Sequence, residues 1–454
     1  LHPGAHVLDH AVELVKPNAV IAAGPGLLLG VAFGSVRTIP IKFSSGFVPP
    51  GWVDLCENKD SLARKTETQM GSTKPQNPDH LEHVYADTPA LITFTSGSSG
   101  KARAIVRTHG FLQEQLKVLE STAEMQPGSC ELTSLPIFVL ANLASCVTTI
   151  LPDSKQSNPA GSPGKRMVEQ ITSNGADRIL GSPSFLNNIV DYCENHNLVL
   201  PQIHTVLTGG GPVFPSLLDR CRIIFPNARL ITVYGSTEAE PISRVEYSAL
   251  SNLDKQLITR GCGLPVGKPV DGIDVRIIPV EMSEKNGGRN RRFAAFQHIC
   301  DVADVPLNRI GEIIVTGNHV VKGYYHGLGD SSSKLTIDGK KWHRTGDTGY
   351  IDNDGRLWLI GRNQKETDLD TTFSYAVEAA ALSHPSIKRA AFVARNQSAF
   401  LFIENQPNKS LGENSLSMLD SISWAEVTTV RRTNRIPCDT RHNTKVLYSQ
   451  LPTR

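Results

Sequence analysis

A chain of 454 residues with 39% hydrophobic and 20% charged residues is long enough for two or three domains and too evenly mixed to be disordered or membranous. Its net charge of only +2 removes the case for bulk nucleic-acid affinity. The eight cysteines (Cys56, Cys130, Cys146, Cys193, Cys221, Cys262, Cys300, Cys438) form no C-x-x-C pair, which points to free thiols in a reducing, cytoplasmic compartment and away from disulfides or a zinc site.

In chain order, residues 19–36 ("AVIAAGPGLLLGVAFGSV") come first, a stretch without a charge and near the length of a membrane span. Gly24-Pro25-Gly26 interrupts it, so we read a buried strand, a turn and a short helix, with no transmembrane span. No basic start followed by an apolar core and a small-residue cleavage site marks a signal peptide. The chain begins at Leu1 in what reads as mid-domain, so we expect a fragment lacking an N-terminal portion.

From about residue 1 to 240, short β-rich runs alternate with helical patterns. Residues 91–95 read as a strand, and Leu112, Leu116 and Leu119 then recur at helical spacing. The alternation continues through 206–207, 217–221 and 230–233, an α/β pattern with a largely parallel sheet. Between 261 and 359 the texture changes to short strands with Gly, Asp and Asn turns, a β-rich subdomain. There "DNDG" (352–355) is a hairpin signal. A short α+β segment follows Gly361-Arg362, with a helix near 376–382 and strands near 390–393 and 400–403; residues 284–292 and 405–416 read as polar loops. The expected fold class is therefore α/β. A large N-terminal domain of α/β layers with a β-rich subdomain spans 1–361, and a small α+β C-terminal domain spans 362–454. No internal repeat is visible.

"TSGSSGK" (95–101) alternates hydroxyls and glycines ahead of a cation. Glycines let several backbone N–H groups converge and hydroxyls add donors without bulk, which makes an anion nest suited to phosphate. It is not a Walker loop, because Thr95 stands where Gly is needed and Ala102 follows Lys101. The loop by itself leaves open an ordinary Gly/Ser turn.

Four further segments follow in order: "LTGGGPV" (207–213), "VYGSTEAEP" (233–241), "GEIIVTGNHVVKGYY" (311–325) and "TGDTGYIDNDGRLWLIGR" (345–362). With the loop they resemble the acyl-adenylate-forming superfamily of AMP-dependent synthetases and ligases, over nearly the whole chain. The resemblance implies an ATP- and Mg2+-dependent enzyme. Thr95, Ser96, Gly97, Ser98, Ser99 and Gly100 would wrap the β- and γ-phosphates, with Lys101 adding charge. Tyr234, followed by Gly235 and Ser236, would stack on adenine above a floor of Gly210, Gly211 and Pro212. Thr237 would donate to the α-phosphate and Glu238 would hold Mg2+, a hard cation that takes carboxylate and phosphate oxygens. Asp347 would accept from the ribose hydroxyls, with Arg362 close by. Lys445, in "IPCDTRHNTKV" (436–446), would bridge the carboxylate and α-phosphate in the transition state.

"IP-x-D-x-RHN-x-K", "WHRTGDTGYIDNDGRLW" and "GCGLPVGKPV" (261–270) are similar to one branch, that of fatty-acid ligase-like proteins and olefin-pathway β-lactone synthetases. The apolar "LPIFVLANLAS" (135–145), with Phe138-Val139, implies a lipid-like acid as substrate. The implied reaction is acyl-AMP formation with pyrophosphate release, on a fatty or 3-hydroxy fatty acid, then transfer to CoA. Two alternatives are closure of a 3-hydroxy acid to a β-lactone and a decayed nucleotide-binding homologue.

The chain departs from the family in three places, one of them Thr444-Lys445 where Gly-Lys is common, as in the branch just named. Ala102-Arg103-Ala104 replaces the usual Pro-Lys-Gly, and "NQKETDLDTTFSYAVEAAAL" after Arg362 contains no glycine. The family's thioester-forming members swing a mobile C-terminal domain about this point, where Gln364 stands at the hinge, and line the thiol channel with a glycine-containing loop. Its loss bears on the CoA step more than on adenylation.

Overall fold

The computed structural model describes residues 5–23, 34–45, 48–50, 52–54, 84–96, 102–153, 163–280, 292, 296, 310–363, 369–395, 398–406, 422–439 and 445–453. They fall into two compact units, Leu1–Gly110 with Tyr324–Leu328, and Phe111–Gly323 with Gly329–Arg454.

The first unit holds α1 (Ala5–Val15), β1 (Ala19–Ala23), α2 (Gly34–Arg37), β2 (Ile41–Ser45), β3 (Val53–Asp54), β4 (Pro89–Ser96) and β5 (Ala102–Thr108). Strands β1, β2 and β3 pair in parallel, with Ala19 opposite Ile41 and Phe43 opposite Val53. The uncharged run supplies a strand and a short helix, but the strand is not buried as expected, since its central Ile21 is 68% exposed; Gly24, Pro25 and Gly26 lie outside the described residues. Among the described residues no helix is long and apolar enough to cross a membrane. Strands β4 and β5, rich in β-branched residues, form an antiparallel pair. Their last partners are Thr95 with Arg103 and Ser96 with Ala102. Thr95 and Ser96 therefore close a strand at the mouth of the loop, whose Gly97, Ser98, Ser99, Gly100 and Lys101 lie outside the described residues. The Arg103 guanidinium lies over the Tyr324 ring, 5.5 Å from its centroid, within cation–π range.

The second unit continues α3 (His109–Ala123) through β6 (Cys130–Thr133), α4 (Pro136–Ala144), β7 (Thr148–Ile150), α5 (Pro163–Asn174), β8 (Arg178–Gly181), α6 (Pro183–Asn195), β9 (Thr205–Gly209), α7 (Pro215–Ile224) and β10 (Arg229–Ser236). Helices alternate with strands, so β7-β6-β8-β9-β10 is parallel. Local signals set the boundaries: Pro183 opens α6 and the Ser182 hydroxyl accepts from Phe185 N–H at 3.3 Å, a serine cap ahead of a first-turn proline.

From β11 (Ala239–Glu246) the same sheet turns antiparallel, through β12 (Leu264–Pro269), β13 (Ile273–Ile278), β14 (Gly311–Gly317), β15 (Lys334–Ile337), β16 (Lys340–Ile351) and β17 (Leu357–Arg362), and reaches 12 strands. The "DNDG" signal is the β16–β17 reversal. Asp352 Oδ1 accepts from Asp354 N–H (3.0 Å) and Arg356 N–H (2.8 Å), an aspartate-built turn. Arg356 also forks onto both Asp254 oxygens at 2.9 and 3.0 Å, where Asp254 completes the capping box of α8 (Asn252–Thr259).

After Arg362, β18 (Leu369–Asp370), α9 (Ser374–Leu382), β19 (Ile387–Arg395), β20 (Ser398–Asn405) and β21 (Thr429–Arg432) build a four-stranded sheet and its helix. The sequence of α9, "SYAVEAAAL", is apolar on nearly every face, and such a helix is buried all round. Ala376, Val377, Ala379, Ala380 and Ala381 share one core with Phe392 and Leu401 on one side and with Tyr350, Trp358 and Ile360 on the other. The core thus runs without interruption from the strands that precede Arg362 to those that follow it.

Candidate active site

The β10–β11 hairpin presents the first residues. Tyr234 pairs with Ser243 and Ser236 with Ala239, so Thr237 and Glu238 form the turn. Thr237 is exposed and Glu238 half-buried, and Val321 N–H donates to Glu238 O at 2.8 Å. Beside β10, strand β9 ends at Gly209, where a Cβ would stand 2.4 Å from Val233 O, so only glycine admits this approach. Gly210 follows at φ +76°, and a Cβ there would meet nothing within 4 Å. Gly210 therefore fronts open space, and it lines one pocket with Gly209 and Gly235.

Strands β16 and β17 set Asp347 opposite Arg362. Arg362 Nε stands 3.7 Å from Asp347 Oδ1, and Tyr234 Oη donates to Asp347 Oδ2 at 2.8 Å. The Asp347 backbone N–H donates to Thr345 Oγ1 at 3.0 Å, and that hydroxyl donates to Ile313 O at 2.9 Å. The Asp347 carboxylate holds the Arg362 guanidinium above its ordinary value, and burial with the Asp347 charge raises the Tyr234 phenol.

Lys445 rides on a two-stranded ribbon. Cys438 pairs with Val446 as an antiparallel bridge, Lys445 N–H donates to Asp439 Oδ1 at 2.7 Å, and Lys445 O accepts from Asp439 N–H at 2.9 Å. Its side chain keeps access to solvent. Even so, desolvation and then the Arg362 charge hold its ammonium below the ordinary lysine range, opposed by Asp347, Asp439 and Glu238. Glu238 acts electrostatically on Arg362 and Lys445 alike, so Tyr234, Glu238, Asp347, Arg362 and Lys445 occupy one neighbourhood.

Several features escaped the sequence reading. Leu135, Leu180, Leu207 and Val233 join the expected Phe138 around an apolar pocket that reaches Gly209, Gly210 and Gly235; Val139 is not among its walls. These residues come from four separate elements, and only the fold assembles them. Lys334 and His343, also within the field of Glu238, stand 3.3 Å apart through Nζ and Nδ1, and burial lowers them to about 8 and about 4.

The site fits a nucleotide. Ser236 Oγ and Thr208 Oγ1 are buried with no hydrogen-bond partner, and such hydroxyls call for an acceptor. Glu238 is a single carboxylate at the rim; Mg2+ is commonly held by one or two carboxylates together with substrate phosphates. No three His, Cys, Asp or Glu side chains converge as a metal cage among the described residues.

Glycines at the strand ends and a hydrogen-bonded and ion-paired Tyr234–Asp347–Arg362 constellation stand on a mixed α/β fold. The chain belongs to the AMP-binding enzyme family, whose model matches residues 48–325. It is 29% identical over 391 residues to the olefin beta-lactone synthetase of Xanthomonas campestris pv. campestris, covering 82% of this chain and 67% of that protein. It is 25% identical over 352 residues to 4-coumarate–CoA ligase-like 4 of Oryza sativa subsp. japonica, covering 74% and 56%. The chain thus spans between about half and two thirds of the length of these relatives. In fold it is similar to the amide bond synthetase McbA from Marinactinospora thermotolerans, with a TM-score of 0.70 at 17% identity over 98% of this chain and 81% of that one.

Proposed function

We propose that this chain adenylates a carboxylic acid with an apolar tail, a fatty or 3-hydroxy fatty acid, at the expense of ATP. The observation that carries this reading is that Tyr234, Glu238, Asp347, Arg362 and Lys445 lie in one electrostatic neighbourhood, and that Gly235, next to Tyr234, lines an apolar pocket with Gly209 and Gly210. Adenine stacks on Tyr234 over Gly210, Gly211 and Pro212. The ribose hydroxyls donate to Asp347, which Tyr234 and Arg362 hold in place. Thr237 donates to the α-phosphate. Mg2+, when bound through Glu238, neutralises charge on the leaving pyrophosphate.

The acid's tail fills the apolar pocket and its carboxylate oxygen attacks the α-phosphorus in line. The P–O bond to pyrophosphate breaks and an acyl-AMP results. Lys445 places its cation between the carboxylate and the α-phosphate, where negative charge builds in the transition state. In the second step the acid's own 3-hydroxyl adds to the acyl carbonyl carbon. The carbonyl–O bond to AMP breaks, the hydroxyl proton is lost, and a four-membered lactone leaves. The relative named olefin beta-lactone synthetase, the glycine-free stretch after Arg362 and the core that α9 shares across Arg362 support this closure. Transfer to the thiol of CoA is the second reading, favoured by the CoA ligase-like relative.

Pyrophosphate release with a panel of fatty and 3-hydroxy fatty acids tests the first step. No release above background with any acid removes the reading. Product mass then separates a dehydrated lactone from an acyl-CoA.

A further inference from the structure

We infer that Glu378 and Tyr448 are positioning residues for Lys445, and that α9 transmits the position of the Asp347 strand to that lysine; the inference rests on the adenylation reading above. The link is a series of short contacts. Thr348, next to Asp347 on β16, donates through Oγ1 to Thr372 O at 2.7 Å, two residues before α9. One turn into α9, Glu378 Oε1 accepts from Tyr448 Oη at 2.7 Å and from Phe392 N–H at 3.0 Å. Tyr448 lies three residues beyond Lys445 and opens the 3-10 turn Tyr448–Gln450.

The Lys445 ribbon is anchored at both ends. Ile436 is fully buried and its N–H donates to Glu404 Oε2 at 3.2 Å. At the other end Tyr448 is buried in the same cluster, with its hydroxyl on Glu378. Within the ribbon, Leu447 N–H donates to Pro437 O at 2.9 Å. A long lysine side chain spends considerable rotamer entropy to aim its ammonium, and fixing the backbone beneath it reduces the freedom left to lose. A carboxyl 2% exposed inside an alanine-rich core is costly unless its bonds are needed, and the side-chain bond it makes is to the Lys445 ribbon.

Tyr448→Phe removes only the hydroxyl and keeps the packed ring. We expect kcat for pyrophosphate release to fall about 10- to 100-fold, because misplacement by about 1 Å costs about that much, while KM for ATP stays within about two-fold. Combined with Lys445→Ala, Tyr448→Phe should cost nothing further, since residues that act as a unit are non-additive. Glu378→Gln, which keeps the accepting oxygen, should stay within about three-fold of wild type; Glu378→Leu should repeat the Tyr448→Phe loss. An additive double mutant, or an equal rise in KM for ATP, overturns the assignment.

Labelling with an amine-reactive ester, read by mass spectrometry, keeps the two readings separable. Should the wild type release no pyrophosphate, adenylation falls, and the positioning role is judged by whether Lys445 labels faster in Tyr448→Phe than other lysines do. An unchanged labelling rate overturns it.

Discussion

Tyr234 and Asp347, 113 positions apart in the chain, meet through a 2.8 Å hydrogen bond from the phenol to a carboxylate oxygen in a buried setting. The bond ties the phenol oxygen to one carboxylate oxygen, while the other carboxylate oxygen stands toward Arg362. A buried carboxylate is tolerated only when hydrogen-bonded and paired. Asp347 meets both conditions while one edge of the Arg362 side chain stays in contact with solvent.

Asp347→Ala leaves the buried Tyr234 hydroxyl without its acceptor and Arg362 without its counter-charge. We expect a loss of about 1–3 kcal/mol in folding stability, and a rise of at least about ten-fold in the dissociation constant for ATP, one tenfold step being about 1.4 kcal/mol. Denaturant titration and calorimetric ATP titration check the two numbers; a variant that binds ATP as the wild type does would remove Asp347 from the nucleotide site.

Lys445→Ala touches no hydrogen bond of the ribbon, which is made by backbone groups and Asp439. ATP affinity should therefore change by less than about three-fold, while pyrophosphate release falls by about 100- to 1,000-fold, the range seen when one transition-state donor is removed. Equal effects on binding and turnover would place the lysine in ground-state recognition instead.

The fold was largely legible because its elements are locally punctuated. The 91–95 strand, the 112–119 helical spacing and the "DNDG" reversal each carry a short-range signal, and each stands where it was expected. Asp347 and Arg362 were readable through motif resemblance, and their pairing follows from β16–β17 register. What could not be read depends on long-range assembly. The Tyr234–Asp347 bond, the five-residue apolar wall and the Glu378–Tyr448 contact join residues with no common period or spacing. The alanine-rich sequence of α9 implies a buried helix but not which strands cover it, because helical periodicity singles out no one face.

Phe138 should set the length of acid accepted. It is the one aromatic among the residues that line the pocket, beside Leu135, Leu180, Leu207 and Val233, and truncation to Ala opens space at the expense of contact. In the wild type, kcat/KM should rise about four-fold per added CH2 until the pocket is full, as about 0.8 kcal/mol per buried methylene requires. Phe138→Ala should shift the optimum to longer acids and lower kcat/KM for the wild-type optimum by at least about ten-fold. A chain-length series of kcat/KM values checks this; an unshifted optimum would mean the tail lies elsewhere.

Stability should carry a one-proton signature from Glu378. Burial pushes its carboxyl up from 4.5 to about 8, against the opposing pull of Phe392 N–H and Tyr448. Below about pH 4.5 the group is protonated in both the folded and unfolded chain, so it adds no slope. Between about 4.5 and 8 the unfolded chain releases a proton that the folded chain keeps, and this contribution to stability falls as pH rises, by at most about 1.4 kcal/mol per pH unit. Above about 8 both forms are ionised and the slope vanishes. Glu378→Gln cannot titrate, so the difference between wild-type and variant unfolding free energies, measured in urea from pH 5 to 9, should change steadily in the variant's favour and then level near pH 8. Parallel curves across that range would mean that Glu378 is ionised in the folded chain and that its bond with Tyr448 is made by a carboxylate.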